Sequence, residues 1–281
     1  MHILQATQTK FSLRIKMKKI FIILILGLLL KWSSTIAKEA CFIVKENDNF
    51  LVCEGDLKKK HSPCSTFKIA ISLMGYNEGL LINETDPQWS FEKGYVNYNK
   101  NWKQSHNPSL WMKHSCVWYS QKLTQMLGMK KFQEYVRKFS YGNQDTSGDT
   151  GKNNGLTQAW LSSSLEISPE EQLQFLQSLI DNKLPVSLKA HEMTRNILFV
   201  EELSEGWQLY GKTGNGSQLN RDKTQKLNLQ IGWFIGWVQK GDRKIVFVKC
   251  IKDIEKQDTY ASLRAKDAVK ERMLELLKKI N

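Results

Sequence analysis

The period of the apolar positions changes twice along this chain. Cys41–Val44 and Phe50–Val52 are short apolar runs on either side of Glu46-Asn47-Asp48-Asn49, which predicts two strands and a hairpin turn. From about residue 64 to 200 the spacing is that of helices joined by long loops. Phe67 to Leu73 is strongly apolar. Ser168-Pro169-Glu170-Glu171 opens a helix, with a serine cap, a proline at the first position and a glutamate closing a capping box. Leu173, Leu176 and Ile180 form its stripe. After residue 205 strand patterns return at Trp207–Thr213, Leu229–Val238 and Lys244–Ile251, with Lys240-Gly241-Asp242 as the turn between the last two. An amphipathic helix closes the chain from about Tyr260 to Ile280, with Val269, Met273, Leu276, Leu277 and Ile280 on its apolar face. The order predicts an α+β fold: an antiparallel sheet built from N- and C-terminal strands with flanking helices, and a mainly helical lobe inserted at about 64–200. No internal repeat or low-complexity stretch is present.

The N-terminus changes this picture only before residue 38. Lys16, Lys18 and Lys19 precede an apolar run from Ile20 to Leu30, and small or polar residues lead to Thr35-Ile36-Ala37. That is the order of a secretory signal, with cleavage expected after Ala37 and one domain from 38 to 281. The run is shorter than the roughly 20 residues of a spanning helix, so no stable membrane anchor is expected. Met17 is an alternative start. Export to a bacterial periplasm follows as an expectation. The net charge is +13, but residues 1–37 hold six of the basic residues and no acid, so the rest carries +7. That excess is dispersed, which argues for a solvated basic surface and against nucleic-acid binding.

Five cysteines (Cys41, Cys53, Cys64, Cys116 and Cys250) leave at least one thiol free. Cys41 and Cys53 flank the predicted hairpin, where a bridge is an open question. The five histidines show no paired spacing, which argues against a thiol protease and against a zinc site.

The chemistry concentrates at Ser65-Thr66-Phe67-Lys68. Residues three apart share one helix face, so Ser65 and Lys68 meet one turn apart. A hydroxyl is a weak nucleophile that needs a base. Lys68 sits among Phe67, Ile69, Ala70, Ile71 and Leu73. Desolvation there disfavours ammonium and predicts an amine neutral enough near pH 7 to take the serine proton. The alternative is a lysine reaching to solvent. Far downstream, Lys212-Thr213-Gly214 lies in a predicted strand. S-x-x-K together with K-T-G marks serine enzymes that react with penicillins.

Further elements stand in order between those two: Ser115-Cys116-Val117, Tyr141-Gly142-Asn143, and Trp160-Leu161. In order and spacing the set resembles the class D serine β-lactamases of oxacillinase type, over roughly residues 41 to 275. Ser65–Met74 and Tyr141–Asp145 are similar to the narrower, oxacillin-hydrolysing branch. Neither S-D-N nor E-x-x-L-N is present, which disfavours class A.

The resemblance implies a β-lactamase/transpeptidase-like fold and a hydrolysis through a Ser65 acyl-enzyme, conferring β-lactam resistance. It implies that CO2 carboxylates Lys68, with no other cofactor, to give the general base of both acylation and deacylation. Trp160 would contact the carbamate, while Val117 and Leu161 would shield it. Ser115 and Lys212 would pass a proton to the departing nitrogen. Backbone N–H groups of Ser65 and Asn215, beside Gly214, would hold the oxyanion, and Lys212, Thr213 and Arg264 the substrate carboxylate. Tyr141 and Asn143 would shape the pocket. Glu92, Asp145, Asp149 and Glu166 fit no catalytic role. Two other readings stay open: a β-lactam sensor that keeps its acyl group, and a cell-wall transpeptidase or carboxypeptidase. Substrate breadth and oligomeric state are not legible, the former depending on surroundings of Trp102, Leu161 and Asn215.

Overall fold

The structure, a computed structural model, describes residues 39–280; the expected signal segment lies outside the described residues. Six antiparallel strands form one sheet in the order β2-β1-β6-β5-β4-β3. They are β1 (Glu39–Glu46), β2 (Asn49–Glu54), β3 (Phe199–Glu202), β4 (Gln208–Leu219), β5 (Lys226–Lys240) and β6 (Arg243–Lys252). The helices are α1 (Lys68–Asn77), α2 (Pro108–His114), α3 (Val117–Leu127), α4 (Met129–Lys138), α5 (Gly155–Gln158), α6 (Pro169–Ile180), α7 (Leu188–Asn196) and α8 (Ala261–Ile280). The sheet therefore joins both ends of the described chain, and α1 to α7 form the inserted lobe, as the change of period predicts.

Two cores lie on opposite faces of the sheet. On one face Ile43, Ile235, Val246 and Val248 pack with Phe67, Trp160 and Leu176 of the helical lobe. On the other, Phe42, Phe234 and Phe247 pack with Val269, Met273 and Leu277 of α8. Coverage on both faces explains why β5 is buried continuously from Ile231 to Val238 rather than alternately. Leu276 and Ile280, also read as core, are only partly buried at the edge of that face.

Local signals fixed several boundaries. Ser168 Oγ accepts the Glu171 N–H while the Glu171 carboxylate accepts the Ser168 N–H, completing the capping box of α6. Lys240 pairs with Arg243 around Gly241, which sits at φ +57°, so the predicted turn is the observed one. Strands β4 and β5 extend beyond the predicted ends because they pair with each other through Ser217↔Gln230 and Leu219↔Lys226, where the sequence turns polar. No strand pattern marks the short edge strand β3, which has only four residues and pairs on one side with β4.

The hairpin register bears on the open question of a Cys41–Cys53 bridge. Cys53 stands opposite Ile43, and Cys41 stands opposite Cys250 of β6, so Cys41 and Cys53 are not cross-strand neighbours. All five thiols are free, with Cys53 exposed and the other four buried.

Candidate active site

Ser65 and Lys68 are joined by a tight local turn. Cys64–Phe67 form a 3-10 turn that runs directly into α1, whose first residue is Lys68. The Pro63 carbonyl accepts both the Thr66 N–H (3.1 Å) and the Thr66 hydroxyl (2.7 Å). Gln172 of α6 donates to the same hydroxyl at 3.0 Å. Strand β4 lies against this turn. A Cβ on Gly214 would stand 2.7 Å from the Pro63 carbonyl oxygen and 3.0 Å from the Thr66 nitrogen, so the third position of Lys212-Thr213-Gly214 must lack a side chain.

Lys68 is completely buried, and its Nζ donates to Ser65 Oγ at 3.2 Å. Among the described residues no carboxylate pairs with it. Desolvation therefore dominates, lowering its pKa from the ordinary 10.5 to about 8. At that value about a tenth of the amine is unprotonated at pH 7. The lysine does not reach to solvent.

A second serine–lysine pair faces the first. Ser115 ends α2 in the left-handed region (φ +56°), and Lys212 Nζ donates to its Oγ at 2.9 Å. Lys212 also donates to the Thr213 carbonyl at 3.0 Å. Burial, then the neighbouring Lys68, hold Lys212 well below the ordinary lysine value. Two amines in one dry site disfavour each other's charge. One of them is readily neutral and the other readily gives up a proton.

Trp160 lies beneath this centre, with its ring 5.6 Å from that of Phe67 and 6.2 Å from that of Phe132. Its indole N–H is buried and has no partner. A buried donor without an acceptor carries a cost of about 1–3 kcal/mol. The loop bearing Trp160 is pinned at several points. Asn143 Nδ2 donates to the Ser164 carbonyl and its Oδ1 accepts the Glu166 N–H. Gly142, at φ +57°, lies so close to the Glu166 carbonyl that a Cβ would stand 2.0 Å from it. Tyr141 is fully buried against Phe67 and Phe175. Tyr141-Gly142-Asn143 thus acts behind the pocket wall, as a support for the tryptophan loop.

The cleft above has a volume of about 630 Å³. Ser65, Ser115, Val117, Leu161, Thr213 and Asn215 line it, while Lys68, Lys212 and Trp160 do not open onto it. Trp102 also lines the cleft. Arg264 is the exception among the expected residues. Its Nη2 donates to both carboxylate oxygens of buried Asp253, at 2.9 and 2.7 Å, and the guanidinium is absent from the cleft wall. Tyr260, Ser262 and Leu263 stand there instead. The α8 start carries this wall, and helical geometry turns Arg264 away from Ser262. The side chain of Asn215 is engaged below, donating to Gln230 and accepting the Ser262 N–H.

Three features escaped the sequence reading. Tyr98 (88% exposed), Tyr260 (63%) and Leu263 (50%) give the cleft an apolar rim, but no periodicity marks single exposed residues in a loop or at a helix start. His106 and His114 meet with Nε2 and Nδ1 3.2 Å apart, although eight residues separate them across α2. Ser62 bonds to Trp160, Ser162, Trp233 and Cys64 just before the nucleophile, with no pattern to announce it. Cys64 and Cys116 behave as small buried apolar groups, with burial pushing the Cys116 thiol up to about 11. Glu166 pairs with Lys223 at 2.7 Å.

Known proteins agree with this arrangement. The penicillin-binding protein transpeptidase domain family matches residues 46–275. β-Lactamase OXA-9 of Klebsiella pneumoniae is 41% identical over 235 residues, covering 82% of this chain and 85% of that protein. β-Lactamase OXA-1 of Escherichia coli is 41% identical over 234 residues, covering 81% of each. The crystal structure of the class D β-lactamase OXA-427 superposes with a TM-score of 0.81 at 44% identity, covering 86% of this chain and 100% of that one. With its two serine–lysine pairs facing one cleft, this chain belongs to the class D serine β-lactamases, enzymes that hydrolyse β-lactams.

Proposed function

We propose that this enzyme opens penicillins of the oxacillin type through a Ser65 acyl-enzyme, with a carboxylated Lys68 as general base in acylation and deacylation. The observation that carries the proposal is a fully buried lysine 3.2 Å from the nucleophile with no acidic partner. Only the unprotonated amine adds CO2. Its lone pair forms the N–C bond, a C=O electron pair moves to oxygen, and a proton leaves the nitrogen. The residues present fit such a group: the amine's pKa lies near 8, and the unpartnered Trp160 N–H is a donor suited to an anion. When bound, CO2 supplies a carboxylate that can take a proton and return it. Trp160 would hold it by that N–H, and Val117 and Leu161 would keep water away.

In acylation the Ser65 Oγ–H proton is removed, the Oγ–C bond forms, and the lactam C–N bond breaks. The N–H groups of Ser65 and Asn215 stabilise the negative oxygen. Lys212, through Ser115 at 2.9 Å, delivers the proton to the departing nitrogen. Water then attacks the ester, the acid leaves, and Ser65 regains its proton. Thr213 on the cleft wall would draw in the substrate carboxylate, with buried Lys212 behind it and Arg264 committed to Asp253. The exposed rim of Tyr98, Tyr260 and Leu263 suits an aromatic side chain on the penicillin. Export to the periplasm through residues 1–37 completes the proposal, on the charge and apolar pattern of that segment.

Turnover of a chromogenic cephalosporin in CO2-depleted buffer, with and without added bicarbonate, tests this reading. Multiple turnovers stimulated by bicarbonate are expected. A stoichiometric acylation burst without turnover would instead identify a β-lactam sensor.

A further inference from the structure

Ser62 joins three parts of the site through one residue. Its hydroxyl donates to the Trp160 carbonyl at 2.9 Å and accepts the Ser162 N–H at 3.0 Å. Its carbonyl accepts the Trp233 indole N–H of β5 at 2.9 Å. All of these groups are buried. The hydroxyl spans the bend Trp160-Leu161-Ser162 from inside, satisfying one carbonyl and one N–H that the bend leaves without a regular partner. The bend is also met from outside by Lys226 Nζ at the Leu161 carbonyl (3.4 Å) and by Asn143 Nδ2 at the Ser164 carbonyl (2.8 Å), and its flanks are tied by backbone bonds. Ile167 exchanges two with His61, at 3.0 and 2.8 Å, and the Leu161 N–H reaches Gln158 at 2.8 Å. Ser62 fixes the bend to the segment carrying Ser65 at the Trp160 carbonyl and the Ser162 N–H, and Cys64 meets Ser162 beside it.

This placement matters because Ser62 lies three residues before the nucleophile and touches the backbone on both sides of Leu161. Trp160 carries the unpartnered donor, and Leu161 lines the cleft. Trp160 packs on Phe67 and Phe132 at interplanar angles of 31° and 59°, contacts that bury the ring without locking its depth. The hydroxyl fixes the backbone from which the ring projects, and so the depth of the N–H.

We infer that Ser62 is a positioning residue for deacylation: it sets the Trp160 N–H and the Leu161 cover at the height the carboxylated Lys68 requires. The inference rests on the carbamate reading above. Removing the hydroxyl leaves the Trp160 carbonyl and the Ser162 N–H buried without partners, and that strain is relieved by moving the loop. Loss of CO2 from Lys68 then becomes easier, while Ser65 and the Lys212–Ser115 pair stay in place.

The test is carbon-13 NMR of wild-type, Ser62→Ala and Ser62→Thr enzymes equilibrated with labelled bicarbonate, alongside turnover as bicarbonate is raised. The wild type is expected to show a carbamate resonance. Ser62→Ala is expected to need roughly tenfold more bicarbonate for the same signal and the same kcat, with excess bicarbonate restoring both. Ser62→Thr, which keeps the hydroxyl, is expected to match the wild type. Unchanged bicarbonate dependence in Ser62→Ala, or a loss of turnover that bicarbonate does not restore, overturns the role given to Ser62. A wild type with no resonance overturns the carbamate reading itself, and with it the inference.

Discussion

Lys68 Nζ and Ser65 Oγ stand 3.2 Å apart at the junction of a 3-10 turn and helix α1, with the lysine wholly shielded from water. Sequence proximity and burial are both needed for this pair to react. The turn brings the atoms together, and the apolar core removes the charge that would otherwise keep the amine from acting.

Replacing Lys68 with alanine is expected to lower kcat/KM by roughly a thousandfold, the scale of a lost general base. Added bicarbonate should not restore it. Steady-state assays at saturating bicarbonate give the comparison. A variant that retains a tenth of wild-type activity would remove Lys68 from the chemistry.

The burial of Lys68 also makes stability depend on pH in a stated direction. The folded state releases the proton at about 8, the unfolded chain at 10.5. Between these values the unfolded state binds more protons, so this group adds stability as pH rises, up to about 3 kcal/mol in total. Below pH 8 its contribution is flat. Chemical denaturation in CO2-depleted buffer, comparing the wild type with Lys68→Met, isolates the effect. The gain of the wild type from pH 8 to 10.5 is expected to be missing in the variant, and parallel curves would contradict the shift.

Trp160→Phe keeps an aromatic ring against Phe67 and removes the N–H together with part of the indole volume. Deacylation is expected to slow by about ten- to a hundredfold, while acylation falls less. Stopped-flow kinetics should show a burst of acyl-enzyme that the wild type lacks. Equal slowing of both steps would deny Trp160 a particular part in deacylation.

Arg264 and Asp253 separate structure from substrate binding. Arg264→Ala leaves the carboxylate of Asp253, 1% exposed, without its partner. A loss of about 3 kcal/mol in unfolding free energy is expected. KM for penicillins is expected to stay within about twofold, because the guanidinium is not part of the cleft wall. A large rise in KM with unchanged stability would return Arg264 to the substrate.

The elements that could be read from the chain are those whose physics is local. The Ser65–Lys68 pairing follows from helix geometry, and the α6 capping box from four adjacent residues. The apolar surroundings of Lys68 in the sequence forecast its depressed pKa. What the chain concealed depends on register and on loops. Cys41 meets Cys250 rather than Cys53 because β6, more than 200 residues away, sets the pairing. The commitment of Arg264 to Asp253 depends on the loop between β6 and α8. His106 and His114 meet only because α2 folds back on the loop before it. Gly214 could be recognised as part of a motif, but the reason for its missing side chain, the Pro63 carbonyl, appears only in three dimensions.

The most direct measurement is the carbon-13 spectrum of the native enzyme at neutral pH in labelled bicarbonate, recorded beside Lys68→Ala. A carbamate resonance present in the enzyme and absent from the variant is the predicted result. A fully active enzyme with no such resonance would contradict the assignment of Lys68 as the carboxylated base.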